Sequence, residues 1–494
     1  MTKFLTKFVF IFTIILIIFV SFYLRIFDAE RLLSYSHDYD LAGWIVKDIV
    51  FDKHFRLIGQ ETSTQGIFIG GLYYYLQIPF YLMFNMDPYG VVFLASLLGV
   101  FTTISYFYVF NKIFNKFIAL VASLIHAVSL FIVFTEREVV PTAPVFLWSV
   151  WFLYTVHLFL INEQLKAFIL SAVLGALIWH INFALILPFS LLFIVLFFFI
   201  KKVNIKFLLL GLLFFIVLNT PLIVFEIRHN FIQTKALITS LTTNQMDVYH
   251  GIGKFIRVFH LMGKNLNDLV FGGATNIKYD LFSLIPLVVL LMMIYRKVIR
   301  RDLGIIFLSW ILLYVAFFST YSKIVSEYYL NGVIVVYIAV ISILVGNLLE
   351  RRKTRIIGII FLIVFCYFNY KNLVNYPFNR SGYYERKNLV KEIRRNAIMN
   401  GYPCVSVSYI TKPGYNLGYR YLFWWLGMHV NRPESNSPVY TIVFPLRDDI
   451  KVDKTFGSLG LIYPDYSRYT KEEVTESCSG ENSNLTDPMF GFTK

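Results

Sequence analysis

Charged side chains are scarce in this 494-residue chain. Asp, Glu, Lys and Arg together make up 15% of it, whereas hydrophobic residues make up 57%. Soluble domains carry about 25% charged residues, so the composition excludes an ordinary soluble globular protein. Runs of about 18 or more apolar residues recur along most of the chain. These runs are apolar on all sides, which predicts an all-α polytopic membrane protein rather than a bundle of amphipathic helices.

Cysteine is also rare, and the common signatures of soluble enzymes are missing. Of three cysteines, Cys366 lies in an apolar run, while Cys404 and Cys478 lie in the polar C-terminal part. The last two can form a disulfide if that part faces an oxidising compartment, but their spacing does not decide it. There is no P-loop, GxGxxG after a strand, GxSxG or HExxH motif, so no nucleotide cofactor is expected.

The net charge of +15 comes from Lys and Arg clustered in short loops. That pattern is typical of the cytoplasmic side of membrane proteins and does not indicate nucleic-acid binding. Eleven apolar segments are predicted to cross the bilayer: 4–26, 90–110, 117–134, 142–161, 167–180, 182–200, 207–225, 281–296, 304–319, 329–349 and 356–370.

A twelfth apolar stretch, "GIFIGGLYYYLQIPFYLMF" (66–84), is ambiguous because it begins with glycines and contains Pro79. If it does not cross, about fourteen Lys and Arg of the short loops fall on the cytoplasmic side. If it crosses, every later loop inverts and breaks the positive-inside rule. We therefore predict an interfacial or re-entrant helix on the outer side, with a cytoplasmic N-terminus and an extracytoplasmic C-terminal domain in the plasma membrane.

The composition changes after the last predicted span. "ERKNLVKEIRRNAIMNG" predicts a surface helix that ends at Gly401, and "CVSVSYI", "VYTIVF" and "GSLGLIY" predict short strands. The expected division is a membrane domain over 1–370 and a small α/β domain over 371–494.

The first outward loop contains "SYSHDYDLAGWIVKD" (34–48), an acidic stretch in an otherwise apolar region. Helical spacing predicts an amphipathic helix lying in the membrane interface. Asp38 and Asp40 flank one turn at its start. Either one is an N-cap that stabilises the helix by about 1 kcal/mol, or they act as a general base toward a hydroxyl or as metal ligands. The apolar face of the predicted helix comprises Leu41, Trp44, Ile45 and Ile49.

Other outward residues offer partners for a phosphate or a metal. In "TEREVVPT", Arg137 is a candidate for the phosphate, and Glu136 and Glu138 together with Asp38 for a divalent metal such as Mg²⁺ or Mn²⁺. The alternative is a solvated turn with no such role. Further phosphate candidates at predicted outer exits are Arg228, His229 and Lys323. Glu61, His180 and Tyr328 are additional candidates, although His180 is expected to be a hydrogen-bonded packing residue.

The order of these features resembles the GT-C membrane glycosyltransferases, in particular glycosyltransferase family 39, which includes protein O-mannosyltransferase-like and aminoarabinose transferase-like enzymes. The segment from "HDYDLAGWIVKDIV" to "GGLYYYLQIPFYLMFNMDP" is similar to that family's acidic loop, small-residue turn and "PLYYYL"-like segment. "PLIVFEIRHNF" and "EYYL" look like later motifs, and the resemblance covers about residues 1–350.

The resemblance implies an inverting glycosyltransferase that moves a sugar from a polyprenyl-phosphate donor to a hydroxyl of a protein, lipid or glycan at the outer face. Asp38 matches the family's loop-one acid, and Asp40 is close enough in sequence to share its role. The chain departs from the family at "VVPTAP", where relatives carry an Asp or Asn near a proline, so the metal requirement stays open. The alternatives are a polysaccharide polymerase or ligase with a lipid-diphosphate donor, and a flippase for lipid-linked glycans.

Overall fold

A long helical bundle joined to a small α/β unit makes up the computed structural model, which describes residues 2–62, 64–242, 249–272, 279–321, 323–412, 414–480 and 482. The first part of the chain contains one long helix, three shorter helices and a small antiparallel hairpin. These elements are α1 (Thr2–Ile26), α2 (Ala29–Leu32), α3 (His37–Val50), β1 (Ile58–Glu61), β2 (Phe68–Gly70) and α4 (Leu72–Met83).

The remainder of the bundle is almost entirely helical, because its segments are apolar and only helices satisfy their backbone groups in lipid. Its helices are α5 (Val91–Ile113), α6 (Lys116–Val128), α7 (Leu130–Arg137), α8 (Val145–Leu160), α9 (Gln164–Ile181), α10 (Ile186–Phe199), α11 (Ile205–Leu218), α12 (Thr220–Arg228), α13 (Ile232–Thr242), α14 (Gly251–Phe271), α15 (Tyr279–Tyr295), α16 (Arg301–Thr320), α17 (Ile334–Glu350) and α18 (Arg355–Val374).

Six helices of the described residues are long and apolar enough to cross a membrane, or eight if two bent pairs each count as one span. Three shorter apolar helices occupy 145–160, 183–199 and 284–295. Each of the eleven predicted spans coincides with one of these, although the number that cross stays a prediction. Helix α4 has 12 residues, roughly 18 Å at 1.5 Å per residue, which is too short for a hydrocarbon core of about 30 Å. That length agrees with the predicted interfacial or re-entrant helix.

The bend of 58° between α6 and α7 is held by polar groups from other helices. Ser129, at the break, donates its hydroxyl to the Leu269 carbonyl at 2.9 Å. The Leu130 amide, which has no helical partner at the start of α7, donates to the Asn369 side chain at 2.8 Å. Such partners satisfy the backbone groups that a helix end leaves open. The bend therefore places the end of α7 in a fixed position.

The C-terminal unit has the predicted helix and strands. Its helices are α19 (Tyr383–Met399), α20 (Arg420–Trp425) and α21 (Lys471–Ser477), and its strands are β3 (Val405–Thr411), β4 (Val430–Asn431), β5 (Val439–Phe444), β6 (Lys454–Phe456) and β7 (Leu459–Ile462). The sheet order is β4-β3-β5-β7-β6, with β3 parallel to both neighbours and β7 antiparallel to both of its own. Gly401 follows α19 with φ +70°, as predicted for a helix-ending glycine.

Cys404 and Cys478 form a disulfide with a Cα–Cα distance of 5.4 Å. The bond joins the segment before β3 to the residue after α21. The sequence left this pairing open, because the two cysteines are 74 positions apart and only the folded sheet brings them together. Cys366 is a free cysteine on α18.

Helix α3 packs against the β1–β2 hairpin on one flank and against the C-terminal unit on another. Its apolar residues Leu41 and Ile45 pack with Ile69 of the hairpin. The neighbouring Trp44 is 3% exposed and lies in a hydrophobic cluster that also contains Tyr421 of α20. The predicted division at residue 370 stays an expectation, but this cluster shows that the first outward loop and the C-terminal unit share one core.

Candidate functional site

A cavity of about 410 Å³ lies where α3, the end of α7 and the segment after α18 meet. It contains aromatic, hydroxyl, amide and charged groups, which is the composition expected for a polar ligand with an apolar part. The lining residues are Ala29, Leu32, Leu33, Ser34, Tyr39, Val92, Phe134, Arg137, Glu138, Tyr376, Pro377, Phe378, Asn379, Arg380 and Ser458.

Asp38, in the first turn of α3, directly precedes Tyr39, which lines this cavity. Ser36 is the N-cap and makes no side-chain capping bond, so neither predicted aspartate caps the helix. The Asp38 carboxylate is half-buried, and it has no hydrogen bond or ion pair with any residue that the structure describes. The Asp38 charge nevertheless acts on a cavity residue. The pKa of the Glu138 carboxyl is raised mainly by burial and secondly by the Asp38 charge. A half-buried carboxylate without a protein partner is available to a substrate hydroxyl.

Arg137, the last residue of α7, is 6% exposed and lines the cavity. Its Nη2 donates to the Phe27 carbonyl at 2.6 Å, and its guanidinium lies 5.3 Å from the centre of the Phe134 ring. Its Nη1 is buried without a hydrogen-bond partner in the described part of the chain. A buried charged donor without a partner costs free energy. An anion bound at Nη1 would remove that cost.

Asp40 occupies a different environment from Asp38. Residues two apart on a helix point to opposite sides, and Asp40 points away from the cavity into the core. It is 3% exposed and accepts a hydrogen bond from the Tyr421 backbone amide at 2.9 Å and a longer one from the Tyr35 hydroxyl at 3.5 Å. This position departs from the shared catalytic role predicted for the two aspartates, because Asp40 connects α3 to α20.

Comparison with solved structures identifies the architecture. No family model matches this chain, and no curated protein matches its sequence. ArnT from Cupriavidus metallidurans bound to undecaprenyl phosphate is 11% identical, with a TM-score of 0.54 over 92% of this chain and 98% of that chain. The apo state of ArnT gives 11% identity and a TM-score of 0.55 over 95% of this chain and 100% of that chain.

The chain has the ArnT fold. The predicted architecture of a helical membrane part followed by a small α/β unit is therefore confirmed, and the chain is an integral membrane protein with a small C-terminal sheet. A lower similarity links it to the oligosaccharyltransferase AglB from Archaeoglobus fulgidus in complex with an inhibitory peptide and a dolichol-phosphate. That structure is 12% identical, with a TM-score of 0.46 over 89% of this chain and 69% of that chain. At these identities the likeness concerns the fold alone.

Glu136 is not available as a metal ligand, contrary to the prediction. It is 4% exposed, forms an ion pair with Arg25 of α1, and accepts from Arg25 Nε at 2.8 Å. Its other oxygen lies 3.2 Å from His126 Nε2. Glu138 lies just beyond the end of α7 and lines the cavity, whereas Glu136 faces Arg25 and His126. The interior position of Arg25, 111 residues away in sequence, explains why spacing alone did not reveal this pair.

The predicted metal set therefore does not fit the structure. Among the described residues no group of three or more His, Cys, Asp or Glu side chains is placed to hold a metal ion. Asp38 and Glu138 remain as two nearby carboxyls. We assign no step of the chemistry to a metal.

The remaining phosphate candidates do not line the cavity. The Lys323 ammonium is 8% exposed and donates to the Thr64 hydroxyl at 3.0 Å, and burial lowers its pKa. Arg228 is exposed at the end of α12. His229 stacks on Phe225 with 4.1 Å between ring centres. Lys323 and Phe225, the partner of His229, contact the hairpin at Thr64 and Phe68.

The additional candidates make local contacts. The Glu61 side chain accepts from the Gly66 amide at 2.5 Å and closes the β1–β2 turn. His180 accepts from the Leu72 amide at 3.4 Å, which confirms the hydrogen-bonded packing expected of it. Tyr328 is exposed and its ring meets Tyr329 edge-on at 4.5 Å.

Most cavity residues were not predicted from the sequence, and four polar ones among them belong to no motif. Tyr376, Asn379 and Arg380 lie in the short segment after α18, and Ser458 lies in the β6–β7 turn. The sequence contains one indication of these residues. The segment "YPFNRSG" follows shortly after the last predicted span and therefore lies close to the membrane interface.

Proposed function

We propose that this protein is an inverting glycosyltransferase that uses a polyprenyl-phosphate sugar at the outer face of the plasma membrane. The observation that carries the proposal is a cavity lined by a buried guanidinium with an unsatisfied donor, Arg137, and by Glu138, on which the charge of the nearby unpartnered acid Asp38 acts. ArnT, whose fold this chain shares, has been crystallised with undecaprenyl phosphate. We infer the same class of lipid carrier here, with the N-terminus cytoplasmic and the C-terminal unit outside.

The chemistry requires one base and one anion site. An acceptor hydroxyl transfers its proton to the Asp38 carboxylate while its oxygen forms a bond to the anomeric carbon. The bond between that carbon and the phosphate oxygen breaks, and the electron pair leaves with the polyprenyl phosphate. Attack opposite to the leaving group inverts the anomeric configuration. Arg137 stabilises the additional negative charge that develops on the phosphate.

Glu138 is a second carboxyl at the cavity. Burial and the neighbouring Asp38 charge raise the pKa of Glu138, so Glu138 holds a proton to higher pH than an ordinary glutamate does. In this arrangement Asp38 is the base, and Glu138, whenever it carries a proton, can donate a hydrogen bond to the bound sugar or phosphate.

The first test compares two variants of the same loop in the purified full-length protein. Asp38→Asn is expected to lower sugar release from a polyprenyl-phosphate hexose by about 100-fold or more, because general-base catalysis contributes about 10²–10⁴-fold. Asp52→Asn is the control, because Asp52 is 45% exposed and pairs only with Lys47 at 2.5 Å. Full activity of Asp38→Asn would refute the assignment of this acid.

The second test identifies the lipid that copurifies with the protein, by mass spectrometry. A polyprenyl monophosphate or its monosaccharide ester supports the proposal. A diphosphate-linked oligosaccharide would favour a polymerase or ligase instead. Transport of a lipid-linked glycan across vesicles without sugar transfer would favour a flippase. The acceptor, whether protein, lipid or glycan, is then found by supplying each class to the same preparation.

A further inference from the structure

The cavity has a second arginine that comes from the C-terminal side of the chain. Arg380 follows α18 and lines the same cavity as Arg137. Its guanidinium is exposed and has no hydrogen bond or ion pair with any other residue among those described. Glu385 is close enough for the Arg380 charge to act on its pKa, but the Glu385 carboxylate accepts from the Gly382 amide at 3.1 Å.

The backbone of Arg380 is held in place from the C-terminal sheet. Its carbonyl accepts from the Ser458 amide at 2.7 Å. Gly457 has φ +60° and lies so close to this carbonyl that a side chain there would collide with it. A fixed backbone position favours ligand binding. An arginine on a mobile backbone loses more conformational entropy when it binds, and this loss offsets its binding energy.

The segment before Arg380 is held from the membrane side. The Tyr376 ring stacks on Phe134 of α7 with 4.3 Å between ring centres. After it, the Tyr383 amide donates to the Leu33 carbonyl at 3.0 Å. Phe134 is three residues before Arg137, so the same turn of α7 supports one arginine and contacts the segment that carries the other. The two cations therefore approach one cavity from two separately anchored elements.

We propose that Arg380 is the second ligand of the donor phosphate, so that the lipid phosphate lies between Arg137 of the membrane domain and Arg380 of the C-terminal unit. This inference rests on the proposed use of a polyprenyl-phosphate donor. It gives the C-terminal unit a direct part in substrate binding, beyond acceptor or partner recognition.

The charge of the leaving group explains why two cations are useful. The sugar phosphodiester carries one negative charge, and the released phosphomonoester carries up to two. Arg137, with one Nη already engaged by Phe27, has limited capacity for the added charge. Arg380 supplies a complete fork of donors for it. The pair thus stabilises the departing phosphate more than the intact donor, which is the condition for faster reaction rather than tighter ground-state binding.

The test measures binding of polyprenyl phosphate, and of polyprenol as the uncharged probe, to the full-length protein in detergent. Arg380→Gln is expected to weaken polyprenyl phosphate binding about ten- to hundredfold, the range for one hydrogen bond to a charged group, and to leave polyprenol binding unchanged. Arg380→Lys is expected to recover part of the loss, because it keeps the charge and loses the fork. The matched control is Arg447→Gln, which removes an exposed arginine paired with Asp449 in the same unit.

Each outcome of this experiment decides a different point. If Arg137→Gln weakens polyprenyl phosphate binding and Arg380→Gln does not, the inference about Arg380 is overturned and the proposed function stands. If the wild-type protein binds polyprenyl phosphate no better than polyprenol, the proposed donor class fails as well. Equal losses for Arg380→Gln and Arg447→Gln would indicate a general effect of surface charge and would also overturn the inference.

Discussion

Gly99 of α5 provides the most direct test of the buried charge network beneath the candidate site. A Cβ atom built on Gly99 would overlap the Arg25 side chain. It would also lie 2.8 Å from Glu136 Oε2, which is shorter than the 3.0 Å below which Cβ contacts essentially never occur. Arg25 is fully buried, so it cannot move into water. Gly99→Ala is therefore expected to separate Arg25 from Glu136.

The expected cost follows from two opposing terms. Breaking a buried ion pair so that a charge is left uncompensated costs about 3–5 kcal/mol. Replacing glycine by alanine inside a helix returns about 0.5–1 kcal/mol. The net loss is about 2–4.5 kcal/mol in the free energy of unfolding. Activity is expected to fall as well, because Glu136 is adjacent to Arg137 and fixes the end of α7.

Equilibrium unfolding in mixed micelles measures this loss. Gly253→Ala is the control, since a Cβ there meets nothing within 4 Å, and it is expected to be neutral or slightly stabilising. In an Arg25→Ala background the space is open, so adding Gly99→Ala should cost little. Wild-type stability of Gly99→Ala, or an equal cost in both backgrounds, would refute the steric and electrostatic reasoning.

Two further predictions concern the acids near α3. The pKa of Glu138 is raised in the folded chain, so its ionisation removes stability as pH rises from the ordinary glutamate value through the raised one. Glu138→Gln should therefore melt at a higher temperature than wild type at pH 7, with the difference vanishing near pH 4; a constant difference would contradict this. Asp40→Ala removes the acceptor of an α20 amide, at a cost of about 1–3 kcal/mol, so hydrogen exchange at 420–425 should accelerate at least tenfold while Asp52→Ala leaves it unchanged. Unchanged exchange in Asp40→Ala would show that this contact does not hold α20.

The sequence predicted local features well because they depend on local chemistry. Apolar runs, the helix ending before Gly401 and the three main strands were all correct. The sequence predicted Arg137, the basic residue of a short acidic turn, as a phosphate ligand. In the structure Arg137 lines the cavity and has an unsatisfied hydrogen-bond donor. Its role in phosphate binding stays a prediction.

The errors all involve contacts between distant parts of the chain. In sequence, Asp40 has the same predicted role as Asp38. The structure separates them, because α20 packs against the side of α3 that carries Asp40. Glu136 looked like a surface acid because its partner, Arg25, lies in a segment that appeared purely apolar. The position of Arg380 also depends on a distant contact. Nothing near Arg380 in sequence indicates that the β6–β7 turn approaches it. Periodicity and motifs carry no information about such pairings.

The shared core of α3 and α20 has a consequence for biogenesis. Asp40 is synthesised 381 positions before its partner Tyr421. At about 5–20 residues per second, the delay is roughly 20–75 s. During this interval α3 has no cover on its Trp44 side, although the helices around it are already being inserted. The membrane helices can assemble first, but α3 acquires its buried environment only when the last quarter of the chain folds against it. Completion of the site therefore requires synthesis of the chain at least as far as Ser458.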